Sequence, residues 1–372
     1  INKILIITPF LEKNFHEITC RINPLLNLTF IEGYYTHPNM DVFLEGSDII
    51  VDLTNYGISN KLLVEKCYRE GIPLVRCFCE ENRGETGIKI FSYIRGREWK
   101  ELEDVVSRRN IPFTHSDDPV LDLIASGIAL EEVKNFLMKR TFSDELIVYS
   151  RKKFVLDSAD LNICVIGAGA LGNFVVLGLI YSGFHNITVM DPDVVEVSNL
   201  NRQVLFYDAI GLNKAKAMSE KVKKLWGFSI NAIDTYFSSE TDISSYNVIF
   251  DCVDNFETRI TLSEKCRKTK KVLISGGTGM DAGQVIFYDP LRDDHTPAEL
   301  LGLRDIVEKR NKEEARSADP SCLYQPDPSV IMTNLIIGGL MVDSLRMYLS
   351  GIRPPKIFYD SSSNKKLMLL SV

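Results

Sequence analysis

The residues best suited to chemistry lie between Gly167 and Asp254. Gly167, Gly169 and Gly172 stand in the run Gly167-Ala168-Gly169-Ala170-Leu171-Gly172, where a bare backbone can turn tightly and approach a phosphate. A helix starting there offers unpaired N–H groups and a positive dipole end to an anion. Asp191 follows at the end of the next apolar run. A nicotinamide oxidoreductase would use the glycines and that acid, but not the cluster after them: Asn199, Arg202 and Gln203, then Lys214, then Asp254-Asn255. Two cations beside phosphates can offset charge developing on a phosphoryl group. An aspartate at the C-terminal end of a strand can hold Mg2+, which keeps its waters and takes few protein ligands. Together these are the parts of a nucleotidyl-transfer site.

Such residues need an α/β scaffold to position them. Ile163-Cys164-Val165-Ile166 predicts a strand feeding the glycine turn, Phe174 to Tyr181 a helix, and Ile187-Thr188-Val189-Met190 a strand ending at Asp191. Alternation continues with a helix over Lys214 to Trp226 and strands at Asn231 to Phe237 and Asn247 to Val253. A helix over Thr258 to Lys268 and strands at Val272 to Ser275 and Gly283 to Asp289 come next. The polar stretch Leu291 to Gln325 reads as a long loop or insertion, followed by an apolar helix, Val330 to Leu349, and a strand, Lys356 to Asp360. Gly338-Gly339 within that helix would permit close packing.

The expected fold is a Rossmann-like, mainly parallel α/β domain over residues 151–372, preceded by a smaller α/β lobe over residues 1–150. The first lobe echoes the second. Asp48-Ile49-Ile50-Val51-Asp52 matches Asn247 to Asp251, and Leu63, Glu65, Lys66 and Cys67 meet Leu262, Glu264, Lys265 and Cys266 at one constant offset. The helix Ile124 to Leu137 before the strand Leu146 to Ser150 repeats the order of the chain's end. Ile7-Thr8-Pro9-Phe10 stands where the glycine turn would be, so the lobe reads as a degenerate copy without a nucleotide site.

From Leu161 onward the chain resembles the adenylating enzymes of the ThiF, MoeB and ubiquitin-activating type. The residues that carry the resemblance are Gly167 to Gly172, Ser198-Asn199-Leu200-Asn201-Arg202-Gln203, Gly211-Leu212-Asn213-Lys214 and Asp251 to Asn255 with Arg259. The resemblance implies ATP-dependent adenylation of a carboxylate, with ATP and Mg2+ as cofactors. Asp191 would bind the ribose hydroxyls, Asn199, Arg202 and Lys214 the phosphates, and Asp254 the Mg2+. It also implies a carboxylate substrate, a separate acyl-acceptor protein and a homodimer, to which apolar surface on Val330 to Leu349 would contribute. Tyr149-Ser150-Arg151 resembles a segment through which a partner subunit reaches ATP; Arg151 could equally be a solvated strand-end residue. Cys322 falls where some members carry the acyl group, although Leu323, Tyr324 and the nearby prolines supply nothing to lower its pKa.

The paired C-x-x-C motifs of many members are missing, and Cys77-Phe78-Cys79 has no second pair, so structural zinc is not expected. That absence, with no recognisable domain for recruiting a conjugating enzyme, favours a small cofactor-precursor acid. The general look resembles the branch that activates guanylylpyridinol for the [Fe]-hydrogenase cofactor. The alternatives are the C-terminus of a ubiquitin-like protein or peptide, a nicotinamide oxidoreductase, and a non-catalytic partner subunit.

Composition sets the outer limits. At 372 residues, 45% hydrophobic and 25% charged, the chain suits two or three globular domains of roughly 150 residues each. A net charge of −7 without a basic block argues against nucleic acid, whose binding depends on neutralising phosphates. Leu335 to Val342 is too short to span a membrane, and Ile1 to Phe10 reads as a strand rather than a signal peptide. With eight scattered cysteines, the expected compartment is the cytoplasm.

Overall fold

Two compact units divide the chain: Ile1–Lys153 with Ser363–Lys366, and Phe154–Ser362 with Leu367–Val372. The computed structural model describes residues 3–9, 19, 25–54, 56–100, 102, 118–140, 142–154, 160–314, 329–363 and 366–370.

In the first unit, β1 (Lys3–Thr8) and β2 (Asn27–Glu32) pair in parallel, with Lys3 opposite Asn27. β3 (Ile50–Asp52) leads to α1 (Gly57–Glu70), which ends at Gly71 in the left-handed region, its N–H on Cys67 O. β4 (Leu74–Asn82) turns through Arg83 and Gly84, both at positive φ, into β5 (Glu85–Tyr93), the geometry of a tight hairpin. α2 (Pro119–Leu137) has proline at its first position and Asp118 as its cap, accepting from Val120 N and Leu121 N. β6 (Ile147–Lys152) completes the sheet β3-β4-β5-β6, parallel at the first pair and antiparallel at the others. Leu63, Cys67, Leu74 and Phe91 form its core, with Leu5 and Ile7 packed against them.

The second unit is built on β7 (Ile163–Ile166), α3 (Ala170–Tyr181), β8 (Ile187–Met190), α4 (Lys214–Trp226), β9 (Asn231–Ile233), β10 (Val248–Asp251) and α5 (Phe256–Thr269). β11 (Val272–Thr278), β12 (Ala282–Tyr288), α6 (Pro297–Leu300), α7 (Leu303–Glu314), α8 (Ile331–Leu349), β13 (Lys356–Asp360) and β14 (Leu367–Leu370) complete it. The sheet order is β14-β13-β12-β11-β10-β7-β8-β9. The half from β11 to β9 is parallel and the half from β11 to β14 antiparallel. Every residue of β7, β8 and β10 is buried, as expected of strands covered on both faces. This is the expected α/β class, and the parallel half carries the candidate site.

Three expectations need correction. The stretch from Leu291 is not all loop: Thr296 and Glu299 form a capping box that starts α6, and α7 follows. Ion pairs Arg304–Glu264 and Arg310–Glu257 tie α7 to α5, so this helix lacks the apolar stripe by which a sequence announces one. Second, the apolar residues of α8 are spent inside the unit, where the helix is buried along most of its length, and leave little for a dimer interface. Gly338 does allow close packing, since a Cβ there would lie 2.8 Å from Phe174 Cβ. Third, Arg151, next to last in β6 of the first unit, is buried rather than solvated. It pairs with Asp118, the cap of α2, at 2.9 Å. Among the described residues no helix is long and apolar enough to cross a membrane.

Candidate active site

Steric demands shape the turn between β7 and α3. Gly167 adopts φ +98°, and a Cβ there would meet Cys252 O at 2.6 Å, because the turn presses against the end of β10. A Cβ on Gly172 would lie 2.0 Å from Gly167 O, so helix and turn touch backbone to backbone. Gly169, the cap residue of α3, differs: a Cβ there would meet nothing within 4 Å. Tight contacts below and open space above are what a phosphate cradle at a helix N-terminus requires.

Asp191, at the end of β8, reaches back to this turn. Its Oδ2 accepts from Ala168 N at 2.6 Å and its Oδ1 from Asp193 N at 2.8 Å. Burial pushes its carboxyl above the usual range, offset in part by those N–H groups and by Lys214. Lys214 opens α4 behind its cap Asn213, and its Nζ lies 2.9 Å from Asp193 Oδ2. Asp193 is the better exposed partner, so the ammonium can be shared with an incoming phosphate without leaving an acid buried and unpaired.

Asn199, Arg202 and Gln203 follow in a chain of short turns. The Asn199 side chain accepts from Glu196 N at 3.0 Å within a capping box, and Asn199 O accepts from the backbone N–H groups of Arg202 and Gln203. Arg202 donates only to Ser198 O and Asn201 Oδ1, at 2.8 and 2.9 Å, and has no carboxylate partner among the described residues. Gln203 is buried, and its Oε1 has no hydrogen-bond partner among the described residues. On the adjoining strand, Asp254 stands just past β10, exposed and with no hydrogen bond or ion pair among the described residues. Because β10 pairs with β7 in parallel, Asp251 opposite Ile166, Asp254 emerges at the same sheet edge as the glycine turn.

The structure therefore gathers the glycines, Asp191, Asn199, Arg202, Gln203, Lys214 and Asp254 into one unit at the C-terminal ends of parallel strands. Arg151 belongs to the first unit, and Cys322 lies outside the described residues. Sequence reasoning passed over Asp193, signalled by its Asp-x-Asp spacing with Asp191, and Asn173, directly after the third glycine. It also gave no role to Arg259. That side chain donates to Asp251 Oδ2 at 3.3 Å, Ser275 Oγ at 3.2 Å and Gly276 O at 2.6 Å, stapling the strand ends beneath Asp254. Cys164, Cys252 and Cys266 are buried, and burial pushes the Cys252 thiol far up, away from nucleophilic use. No group of three or more metal-ligating side chains occurs among the described residues. Asp254 is thus a lone carboxylate, a donor set that suits a cation carrying waters and phosphate oxygens.

Comparison with known proteins identifies the family of this region. The model of the ThiF family matches residues 150–368. The chain is 33% identical over 159 residues to the adenylyltransferase and sulfurtransferase MOCS3 of Dictyostelium discoideum, covering 39% of this chain and 37% of that protein. It is 36% identical over 157 residues to the tRNA threonylcarbamoyladenosine dehydratase of Haemophilus influenzae, covering 40% and 60%. Among solved structures, Escherichia coli MccB with succinimide aligns at a TM-score of 0.46 and 20% identity, over 57% of this chain and 64% of that one. The chain thus spans less than two thirds of the length of these relatives. The family match extends over the glycine turn, the Asn199–Gln203 segment, Lys214 and Asp254, and the chain belongs to the ThiF family.

Proposed function

We propose that this chain is an adenylyltransferase that activates a carboxylate with ATP. One observation carries the reading: the open space over Gly169 shares its sheet edge with Asp254, an acid without a cation among the described residues, and Asn173 ties that turn to the segment of Arg202, a cation without an acid among them. A hydride-transfer site has no use for that pair.

In the proposed reaction the N–H groups opening α3 hold the phosphates, while Asp191 accepts from the ribose hydroxyls. A carboxylate oxygen attacks the α-phosphorus. The bond from that phosphorus to the bridging oxygen breaks, and pyrophosphate leaves with the electron pair. Arg202 and Lys214 offset its charge, and holding the carboxylate in line supplies much of the rate. Asp254 would hold Mg2+, which supplies charge neutralisation at the phosphates when bound. The acyl adenylate then passes to an acceptor, a separate protein in this reading.

The names of the relatives span a SUMO-activating enzyme subunit, a molybdopterin-synthase adenylyltransferase and a tRNA dehydratase, so what they support is carboxylate activation. Pyrophosphate exchange into ATP, with a panel of small acids including guanylylpyridinol and a set of peptide C-termini, identifies the substrate. Asp254→Ala should nearly abolish exchange in a folded protein; retention of most of it would remove Asp254 from the metal role. Failure of the whole panel to exceed NADH-linked turnover by the same enzyme would favour the oxidoreductase reading.

We also propose that the first unit is a degenerate copy of the second. Supporting this, β3-β4-β5-β6 and β10-β11-β12-β13 share order and sense. Glu131–Lys134 on α2 and Asp343–Arg346 on α8 are, in addition, ion pairs of the same spacing anchored on fully buried acids in the corresponding helices.

A further inference from the structure

Asn173 is wholly buried, in the first turns of α3, and its carboxamide is used at both ends. Its Nδ2 donates to Ala168 O at 3.1 Å and to Gly169 O at 2.9 Å. Its Oδ1 accepts from Leu205 N at 2.9 Å. The first two bonds lie in the glycine turn. The third lies in the 3₁₀ turn Val204–Phe206, which directly follows Arg202 and Gln203. One amide therefore joins the two segments that would share the phosphates.

Peptide geometry gives these bonds a consequence. In a planar trans peptide the C=O of one residue and the N–H of the next point in opposite directions. Drawing Ala168 O towards the Asn173 amide turns the Gly169 N–H the other way, while Gly169 O, and with it the Ala170 N–H, is held jointly by the amide and by Asn173 N at 3.0 Å. Neither N–H has a hydrogen-bond partner among the described residues, and the space over Gly169 is open. At its other end, the bond to Leu205 N sets how far the Arg202 segment stands from those N–H groups.

We infer that Asn173 is a positioning residue that aims the turn's N–H groups and sets their spacing to Arg202, so that both meet the phosphates of one nucleotide. The inference rests on the nucleotide reading of the site, from which its test can be separated. Asn173→Asp keeps an acceptor for Leu205 N but sets a carboxylate against two carbonyls; Asn173→Ser is smaller and cannot span both segments. Each variant and the wild type would be titrated calorimetrically with Mg-ATP and with adenosine, which has the ribose and base but no phosphates, alongside thermal unfolding.

The expected result is an affinity for Mg-ATP lower by about 10- to 100-fold in both variants, as for loss of buried hydrogen bonds, with adenosine affinity within about threefold of wild type. Equal losses for ATP and adenosine would overturn the inference, because Asn173 would then only support the fold. Unchanged ATP binding, or failure of both variants to fold, would overturn it as well. Wild-type protein that binds adenosine but not Mg-ATP would instead sink the nucleotide-phosphate reading, and the inference with it.

Discussion

Asp251 and Asp52 end the corresponding strands, β10 and β3, of two sheets that share one order, yet their charges are compensated in different ways. Asp251 Oδ2 takes Ser275 Oγ at 2.6 Å and the Arg259 guanidinium at 3.3 Å, and Arg259 spends its remaining donors on Ser275 and on carbonyls. Asp52 takes Thr54 N, Thr54 Oγ1 and Asn60 Nδ2 at 3.0, 2.8 and 2.9 Å. Its arginine, Arg76, comes from the neighbouring strand, with Nε 3.8 Å away, buried and making no hydrogen bond among the described residues. Asn60 stands at the position of Arg259, and Arg76 at that of Ser275. The cation stands on the helix in one unit and on the strand in the other. The apolar positions around it, Leu63 with Leu262 and Cys67 with Cys266, have not changed. On the proposed duplication, the lesson is that apolar packing preserves a scaffold while the polar network at a strand end can be rewired.

The sharpest way to break this comparison is to remove each arginine. Arg259→Leu should cost about 3–5 kcal/mol, because it leaves Asp251 buried without its cation. It should also abolish pyrophosphate exchange. Arg76→Leu leaves Asp52 with three hydrogen bonds and should cost only about 1–2 kcal/mol, with exchange intact. Denaturant unfolding and exchange assays on both variants decide it; equal damage to exchange would mean that the first unit shares in the chemistry.

A smaller effect separates two glycines of the turn that the first unit lacks. Gly172→Ala drives a Cβ into Gly167 O and should destabilise by about 1–3 kcal/mol, an overpacking cost. Gly169→Ala meets open space, so its melting temperature should hold while Mg-ATP affinity falls. Unchanged affinity in Gly169→Ala would show that the phosphate lies elsewhere.

The smallest effect tests an attachment seen on α5 but not on α1, where exposed Tyr68 stands at the position of Arg267. The Arg267 guanidinium holds Glu299 down to about 2, from an ordinary 4.5. A lowered folded pKa means that the stabilisation is present above 4.5 and is lost as pH falls towards 2. Glu299→Gln should therefore cost at most about 1 kcal/mol at pH 7, as for a half-exposed pair, with the difference vanishing in acid. A difference that persists in acid would assign the effect to the capping box with Thr296 instead.

Local pattern alone disclosed much of this protein. The strand, glycine turn, helix and strand from Ile163 to Met190 were legible because apolar runs and glycine placement act within a few residues of themselves. The positions of Asp191 and Asp254 just past apolar strands, and of Lys214 at the start of a helix, were legible for the same reason. Tertiary structure alone decided the rest. β14 exists because β13 offers it an edge, and α7 because its charges find Glu257 and Glu264 on α5. Arg151 is buried because Asp118 waits for it, and Asn173 joins two segments that are distant in sequence. In each case a polar or edge group is satisfied by a partner far along the chain, and no local periodicity records that partner.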